Sequence, residues 1–484
     1  MLIDLSKKKL FAENLYAFIS QILRFLSSFI FIILFPILLS PNNFGKLSLF
    51  LGIAYFLSGL LISFFSYFVI VRFSKFCAED NIPGVRADFF KSLKIFVVFY
   101  LLLMFFLLLF KKEILFYYNL LEFESSYHLL LMLIFLGVVD SIFYGLFLST
   151  QKLKVWTENT ILFSVSYIFL PVLFFLLFGL NGIIFGIFLS NVFVFIHIAY
   201  NSIGILKGKR KEMPHYWEDF KTLCLVAVFN VVAWQGILPL LGLFNSSEYL
   251  AFFRISLGWT SSLAALFPIS SSFLISSFTA VAVKKPQKIE EYLRKTTRYF
   301  FLFSIPMMVG AFMISAKMIK FIYGPNYLPV ADIFKILVFC LPALLLANLS
   351  QPILFNFKKY NVLRNVGLYL TLLFIISILL SPASLIPILF VVFNWLFAIL
   401  LFLNMPFKKI FSFKPLIKIV VSAALMGILV SYLLNFATSL ILALSIIAFG
   451  AFSYFAILYI LKGVEKTDLD FLNIFLSKFG LAKK

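Results

Sequence analysis

Leu15-Tyr-Ala-Phe-Ile-Ser-Gln-Ile-Leu-Arg24-Phe-Leu-Ser-Ser-Phe-Ile-Phe-Ile-Ile-Leu-Phe-Pro-Ile-Leu-Leu39 is the stretch that decides the fold. It carries a single charge, Arg24, and exceeds the roughly 20 apolar residues that a helix rising 1.5 Å per residue needs to cross a hydrocarbon layer. Comparable stretches follow along the chain. The spans read as 15–39, 47–71, 92–110, 127–149, 156–178, 181–203, 220–243, 249–278, 298–317, 328–355, 363–381, 384–404, 415–435 and 438–461, fourteen in all. Hydrophobic residues make up 63% of the 484 positions. That leaves no room for a soluble domain of ordinary size, so the expected fold is an all-α polytopic membrane protein.

The charges set the expected topology. Lys7, Lys8 and Lys9 precede the first span, and that span is too long and lacks the small-residue cleavage site of a signal peptide, so it reads as a retained helix. Cations then gather in every second connection: Arg72, Lys75, Arg86 and Lys91; Lys152 and Lys154; Lys207, Lys209, Arg210 and Lys211; Lys284, Lys285, Lys288, Arg294 and Lys295; Lys358, Lys359 and Arg364; Lys408, Lys409 and Lys414; and the tail. The alternate connections hold chiefly Lys46, Lys111, Lys112, Lys317 and Lys320. This asymmetry predicts that both termini are cytoplasmic. It also accounts for the net charge of +21 without nucleic acid, because the cations form no single basic arm or helix. The longest outer connection, Lys111 to Ser126, is too short for a solvated acid/base site, which disfavours a membrane polymerase or ligase.

The chain also repeats itself. Pro41-Asn-Asn-Phe-Gly45-Lys-Leu-Ser-Leu-Phe50 opens the second span and Asn245-Ser-Ser-Glu-Tyr-Leu-Ala-Phe-Phe-Arg254 opens the eighth. Leu115-Phe-Tyr117 is answered by Phe321-Ile-Tyr323, and Gln151-Lys-Leu-Lys-Val155 by Lys358-Lys-Tyr-Asn-Val362, each roughly 206 residues on. An offset of six spans restores orientation, which predicts two parallel six-helix lobes (spans 1–6 and 7–12) around a central cavity, with two C-terminal helices added. The expected divisions are 1–205, a cytoplasmic linker 206–219, 220–404, accessory helices 405–461 and a cytoplasmic tail 462–484.

Ionisable groups inside spans are costly and so mark function or a specific partner. Arg24 lies deep in the first span on a face with Ser20, Ser27 and Ser28, and Arg254 lies in the eighth with Gly258, Ser261 and Pro268 on its side. Together they predict a cationic cavity suited to an anionic cargo, because guanidinium groups bind phosphate oxygens in a two-pronged fashion and keep their charge. Internal pairing is the competing reading, and for Arg254 so is reach to the outer interface. Asp140 is expected to pair with one of the arginines or with Lys335, or to carry a coupling proton. Asn230, Trp234 and Gln235 read as further cavity lining, and Asn348, Gln351 and Pro352 as a kink in the tenth span. The stripe Gly52, Tyr55, Gly59, Ser63 and Ser66 has the spacing of a lobe interface or a close packing face, and packing is the reading preferred. Cys77, Cys224 and Cys340 show no metal spacing, His128, His197 and His215 are scattered, and no phosphate loop, zinc helix or nucleophile elbow occurs, so ATP-driven and hydrolytic chemistry within the chain is disfavoured.

With Asn14-Leu-Tyr16, Pro41-Asn-Asn-Phe-Gly-Lys-Leu-Ser48, Glu248-Tyr-Leu-Ala-Phe-Phe-Arg254 and Ile322-Tyr-Gly-Pro-Asn-Tyr327 in view, the chain resembles over its whole length the polysaccharide transporters of the MOP superfamily, the Wzx-type or O-antigen flippases. It departs from them at Ser63-Phe-Phe-Ser-Tyr67, where relatives commonly carry Asp and Gly, so no role passes to that position. The resemblance implies alternating access in a bacterial inner (plasma) membrane. The implied cargo is an undecaprenyl-diphosphate-linked oligosaccharide for lipopolysaccharide or other surface polysaccharide, moved from the cytoplasmic to the outer leaflet. It implies a monomer among membrane lipids, working with a polysaccharide polymerase and a chain-length regulator. No cofactor is implied, and the energy would come from membrane potential or a coupled proton or sodium ion. Outward movement of two negative charges follows an inside-negative potential, releasing about 4–5 kcal/mol per 100 mV. A lipid II flippase and a MATE-type multidrug exporter are the architectural alternatives. The second would be expected to line its cavity with carboxylates, whereas this chain offers Asp140 against two arginines.

Overall fold

The structure, a computed structural model, describes residues 7–150, 152–211, 215–266, 289–406 and 413–464. Among them there are helices and no strands. In chain order these are α1 (Lys7–Leu38), α2 (Pro41–Ala78), α3 (Ile82–Leu109), α4 (Lys111–Tyr117), α5 (Tyr127–Ser149), α6 (Leu153–Leu206), α7 (Tyr216–Leu223), α8 (Val228–Trp234), α9 (Ile237–Gly242) and α10 (Ser247–Ala265). They continue with α11 (Ile289–Tyr323), α12 (Leu328–Leu337), α13 (Cys340–Asn356), α14 (Tyr360–Leu380), α15 (Ile386–Leu403), α16 (Phe413–Leu434) and α17 (Leu440–Ile460). Nine helices among the described residues are long and apolar enough to cross a membrane, and α12 with α13, bent by 48°, passes the same test only as a pair, a broken span or a re-entrant loop. The chain is a multi-pass membrane protein. Apolar faces left outside the bundle, such as Leu102, Phe105 and Phe106 of α3, are those a bilayer would cover.

Hydropathy locates the apolar part of a helix, but the backbone ladder continues past it. The second and third spans, expected at 47–71 and 92–110, extend to Ala78 and back to Ile82, where the Asn81 side chain caps the Gly84 amide at 3.0 Å. The fifth and sixth spans form the two arms of α6. Gly179, at φ +63°, turns the chain, and Gly182 and Gly186 let the second arm approach the Phe174 carbonyl and Pro171 backbone of the first.

Two expected spans are corrected. The seventh, read as one helix over 220–243, is broken into α7, α8 and α9: Leu225 sits at φ +63°, and Pro239 deprives the Gln235 carbonyl of its amide partner. The tenth bends between α12 and α13, four residues before Pro342, whereas α13 passes unbroken through Asn348, Gln351 and Pro352. The later part of the eighth span, Pro268 included, lies outside the described residues.

Buried carbonyls orphaned by proline must find donors, because hydrocarbon offers none. Two tyrosines supply them. Tyr323 Oη donates to the Ile32 carbonyl (3.1 Å), four residues before Pro36. Tyr454 Oη donates to Leu302 (2.8 Å), four before Pro306; Tyr249 Oη reaches the Ala383 carbonyl (2.7 Å), which also accepts the Ile386 amide. The Tyr454 bond also fastens α17 to α11, against which α16 packs as well.

The packing pairs repeat with the sequence. α2 lies on α5 as α10 lies on α12 and α13; the first arm of α6 lies on α1 as α14 lies on α8; and α5 lies on the second arm of α6 as α13 lies on α15. Between the two sets, α2 and α1 meet α10, and α2 meets α8 and α9. The glycines of α2 form this seam. A Cβ on Gly45 would stand 1.7 Å from the Ser247 carbonyl oxygen, one on Gly52 3.3 Å from Leu238 Cβ, and one on Gly59 1.7 Å from Gln235 Oε1. At the end of the bundle remote from the basic connections, the halves are further fastened by Tyr323 and by Tyr327, whose hydroxyl meets the carbonyls of Pro36 (2.8 Å) and Leu39 (3.1 Å).

Candidate functional site

A cavity of about 60 Å³ lies on this seam. Phe31 of α1, Ser48, Leu51, Gly52 and Tyr55 of α2 and Tyr167 of α6 line it from one repeat; Trp234, Gln235, Leu238 and Arg254 line it from the other. The break between α8 and α9 shapes the second wall. Where the helix stops, Trp234 swings its Nε1 to Asn394 Oδ1 of α15 at 3.2 Å, and Gln235 is left facing Gly59. Opposite, the hydroxyls of Tyr55 and Tyr167 stand 3.4 Å apart. Arg254 is half-buried and has no ion pair or hydrogen bond among the described residues. Four ring systems, an amide and a guanidinium with no ion pair among the described residues therefore face one space.

Arg24 occupies a second place, nearer the basic end. Its guanidinium lies 4.6 Å from the centre of the Trp156 ring and 5.9 Å from that of Phe163, and its Nη2 is 3.6 Å from Asp140 Oδ2. The pair is loose and its arginine is 44% exposed, so most of its donors are open. Asp140 Oδ1 is buried with no hydrogen-bond partner among the described residues. Ser27, expected to share this face with Arg24, spends its hydroxyl on the Arg24 carbonyl at 3.0 Å.

Of the residues picked from the sequence, Arg254, Trp234 and Gln235 come together at the cavity, and Arg24 and Asp140 come together beside Trp156. Asn230 is half-buried on α8 and outside the cavity lining. Lys335 pairs with Asp332 one turn away at 3.4 Å, so it does not serve Asp140. Tyr55 belongs to the cavity, while the glycines on either side of it provide the close packing expected of that stripe.

Sequence reasoning missed a third cluster, at the basic end. Arg72, buried in α2, donates Nε to Asp88 of α3 and Nη1 to Asp219 of α7, with Phe68, Phe76 and Tyr216 rings around it. Ser92 and Tyr216 share a hydrogen bond at 3.0 Å. The opening helix of the second repeat is thus docked on the first at this end, as the tyrosines fasten the two repeats at the other. No group of His, Cys, Asp or Glu that could hold a metal ion occurs among the described residues.

No family model matches the sequence. No curated protein matches it significantly. Solved structures do match the fold. One is the lipid II flippase MurJ in an inward closed conformation, at a TM-score of 0.70 and 16% identity over 93% of this chain and 98% of that one. Another is an inward-facing multidrug resistance transporter of the MATE family, at 0.60 and 14% over 81% and 93%. A third, a MOP superfamily transporter from Pyrococcus furiosus described as having a binding pocket of reverse polarity, matches at 0.56 and 14% over 82% and 94%. At these identities the likeness establishes the fold: this chain has the helical architecture of MOP superfamily transporters.

Proposed function

We propose that the protein is an alternating-access flippase for polyprenyl-diphosphate-linked oligosaccharides, undecaprenyl in the bacterial case, moving them from the cytoplasmic to the outer leaflet for surface polysaccharide synthesis. One observation carries this reading: Arg254 stands, without a counter-ion among the described residues, in a cavity between the repeats walled by aromatic rings. A half-buried cation without a counter-ion is a site for an anion, and guanidinium suits phosphate oxygens. Tyr55, Tyr167 and Trp234 offer flat apolar faces with polar edges against which sugar rings can lie. Arg24 supplies a second cation nearer the basic end. A cavity of about 60 Å³ is far too small for a glycan, so cargo enters only when one gate opens.

On this reading residues 1–205 and 220–404 are the moving lobes, both termini are cytoplasmic as the basic connections favour, and the lipid tail stays in the bilayer or along α16 and α17. Lipid II, itself a polyprenyl diphosphate, is a second reading favoured by the extent of the match to MurJ, which reaches 93% of the chain. Export of organic cations is disfavoured by a cavity with net positive charge. The test is reconstitution in proteoliposomes with three fluorescent cargoes. Transfer of a polyprenyl-diphospho-oligosaccharide lacking peptide supports the proposal; transfer of lipid II alone favours the second reading; transfer of a cationic dye alone overturns both.

A further inference from the structure

The Arg24–Asp140 contact joins two groups with unequal prospects once an anion arrives. Arg24 keeps the Trp156 ring beneath it and has open donors. Asp140 has less: one oxygen rests on Arg24 at 3.6 Å and the other is buried with no partner among the described residues. Its surroundings offer no replacement. The neighbours of its helix positions are uncharged: Gly137 meets Ser58 and Gly145 meets Val69 of α2, Tyr144 meets Trp156 of α6, and Phe143 meets Phe89 of α3. Arg24 is the charged group facing Asp140, and Tyr144 is the neighbouring ionisable group on its own helix. The Asp140 side chain is 25% exposed, and a half-buried carboxylate that loses its counter-charge takes a proton more readily.

We propose that Arg24 and Asp140 form a counter-ion exchange site: phosphate oxygens of the cargo replace Asp140 on the guanidinium, and Asp140 takes up one proton from solution as they do so. The balance is simple. One N–H···O contact to a carboxylate is exchanged for contacts to phosphate, the proton bonds to Asp140, and on release the carboxyl returns the proton and closes again on Arg24. A dianionic cargo would then travel with one compensating positive charge, halving its response to membrane potential. This inference rests on the anionic-cargo reading.

The experiment uses purified full-length protein in nanodiscs and a short-chain polyprenyl-diphospho-sugar, whose two phosphodiester charges do not change over the pH range used. Titration calorimetry in buffers of different ionisation enthalpy counts protons taken up on binding. Wild type is expected to take up close to one proton per probe, with affinity rising up to tenfold per pH unit as pH falls. Asp140→Asn is expected to bind with no proton uptake and no such slope, and Asp140→Glu to restore uptake. Arg24-dependent binding by wild type without proton uptake, or uptake that persists in Asp140→Asn, overturns the exchange. Absence of probe binding at any pH, or binding unaffected in Arg24→Ala and Arg254→Ala, instead overturns the cargo reading on which it stands.

Discussion

Removing one oxygen atom, in Tyr323→Phe, should open the end of the bundle remote from the basic connections. The Tyr323 hydroxyl accepts from Trp259 Nε1 at 2.9 Å and donates to the Ile32 carbonyl at 3.1 Å. Trp259 and Tyr323 belong to the same repeat, so the indole N–H loses its partner whether the halves are together or apart. The Ile32 carbonyl belongs to the other repeat and, because of Pro36, has no amide of its own. In the closed state it becomes a buried acceptor without a donor, at a cost of about 1–3 kcal/mol; in the open state water reaches it. Taking about 2 kcal/mol, the open population rises ~30-fold. The assay places a cysteine at Ser48, which is 5% exposed, in a background with Cys77, Cys224 and Cys340 replaced. Its reaction with a charged thiol reagent follows the open population when closing is faster than labelling. A ~30-fold faster reaction is expected. An unchanged rate in properly folded protein would refute the reasoning, and Tyr459→Phe, on a face 70% exposed, serves as the control that should change nothing.

Gly45→Ala should also open that end, because its Cβ would meet a backbone oxygen at 1.7 Å, whereas Gly59→Ala should be mild, since Gln235 can swing its amide aside; the same labelling separates them. At the basic end, Arg72→Ala leaves Asp88 as a buried uncompensated carboxylate and should cost about 3–5 kcal/mol, visible as lost abundance or melting temperature. Asp219→Asn, whose side chain is 47% exposed, should cost under about 1 kcal/mol yet release α7, seen as faster labelling near Tyr216 with normal stability. Arg24→Ala should abolish cargo transfer with normal membrane abundance, and Arg24→Lys should restore it only in part, because a point charge replaces a fork; normal transfer by the alanine variant would contradict the cationic site.

Much of the fold was legible because phenylalanine, leucine and isoleucine fill the lipid-facing surface, and charge gathers at the ends with few exceptions such as Arg24 and Asp140. The breaks were partly legible. Pro239 and Pro342 each point four residues back to the break that the structure shows, a local signal stronger than the Pro352 that was chosen for its polar neighbours. Leu225 at positive φ carries no such signal, since nothing in its side chain announces that backbone. For the site, in-span arginines and the Trp-Gln pair were found because ionisable and polar groups are expensive in hydrocarbon. Tyr55 was read as packing because helical spacing gives a face without saying which residues on it touch a neighbour and which touch a cavity. Arg72 was counted as a topological cation; its partner Asp219 lies 147 residues away, and no short-range pattern links them. The pairing of Lys335 with Asp332, in contrast, is a plain three-residue helical spacing that could have been read directly.

The central claim is that Arg254, a cation without a counter-ion among the described residues, receives the diphosphate between the two repeats. The most direct measurement is leaflet transfer of a fluorescent polyprenyl-diphospho-oligosaccharide in proteoliposomes containing wild type, Arg254→Ala or Arg254→Lys at matched protein density. The account predicts transfer by wild type, a fall of at least tenfold with alanine and partial recovery with lysine. Equal transfer by wild type and Arg254→Ala, with both proteins folded, would contradict it.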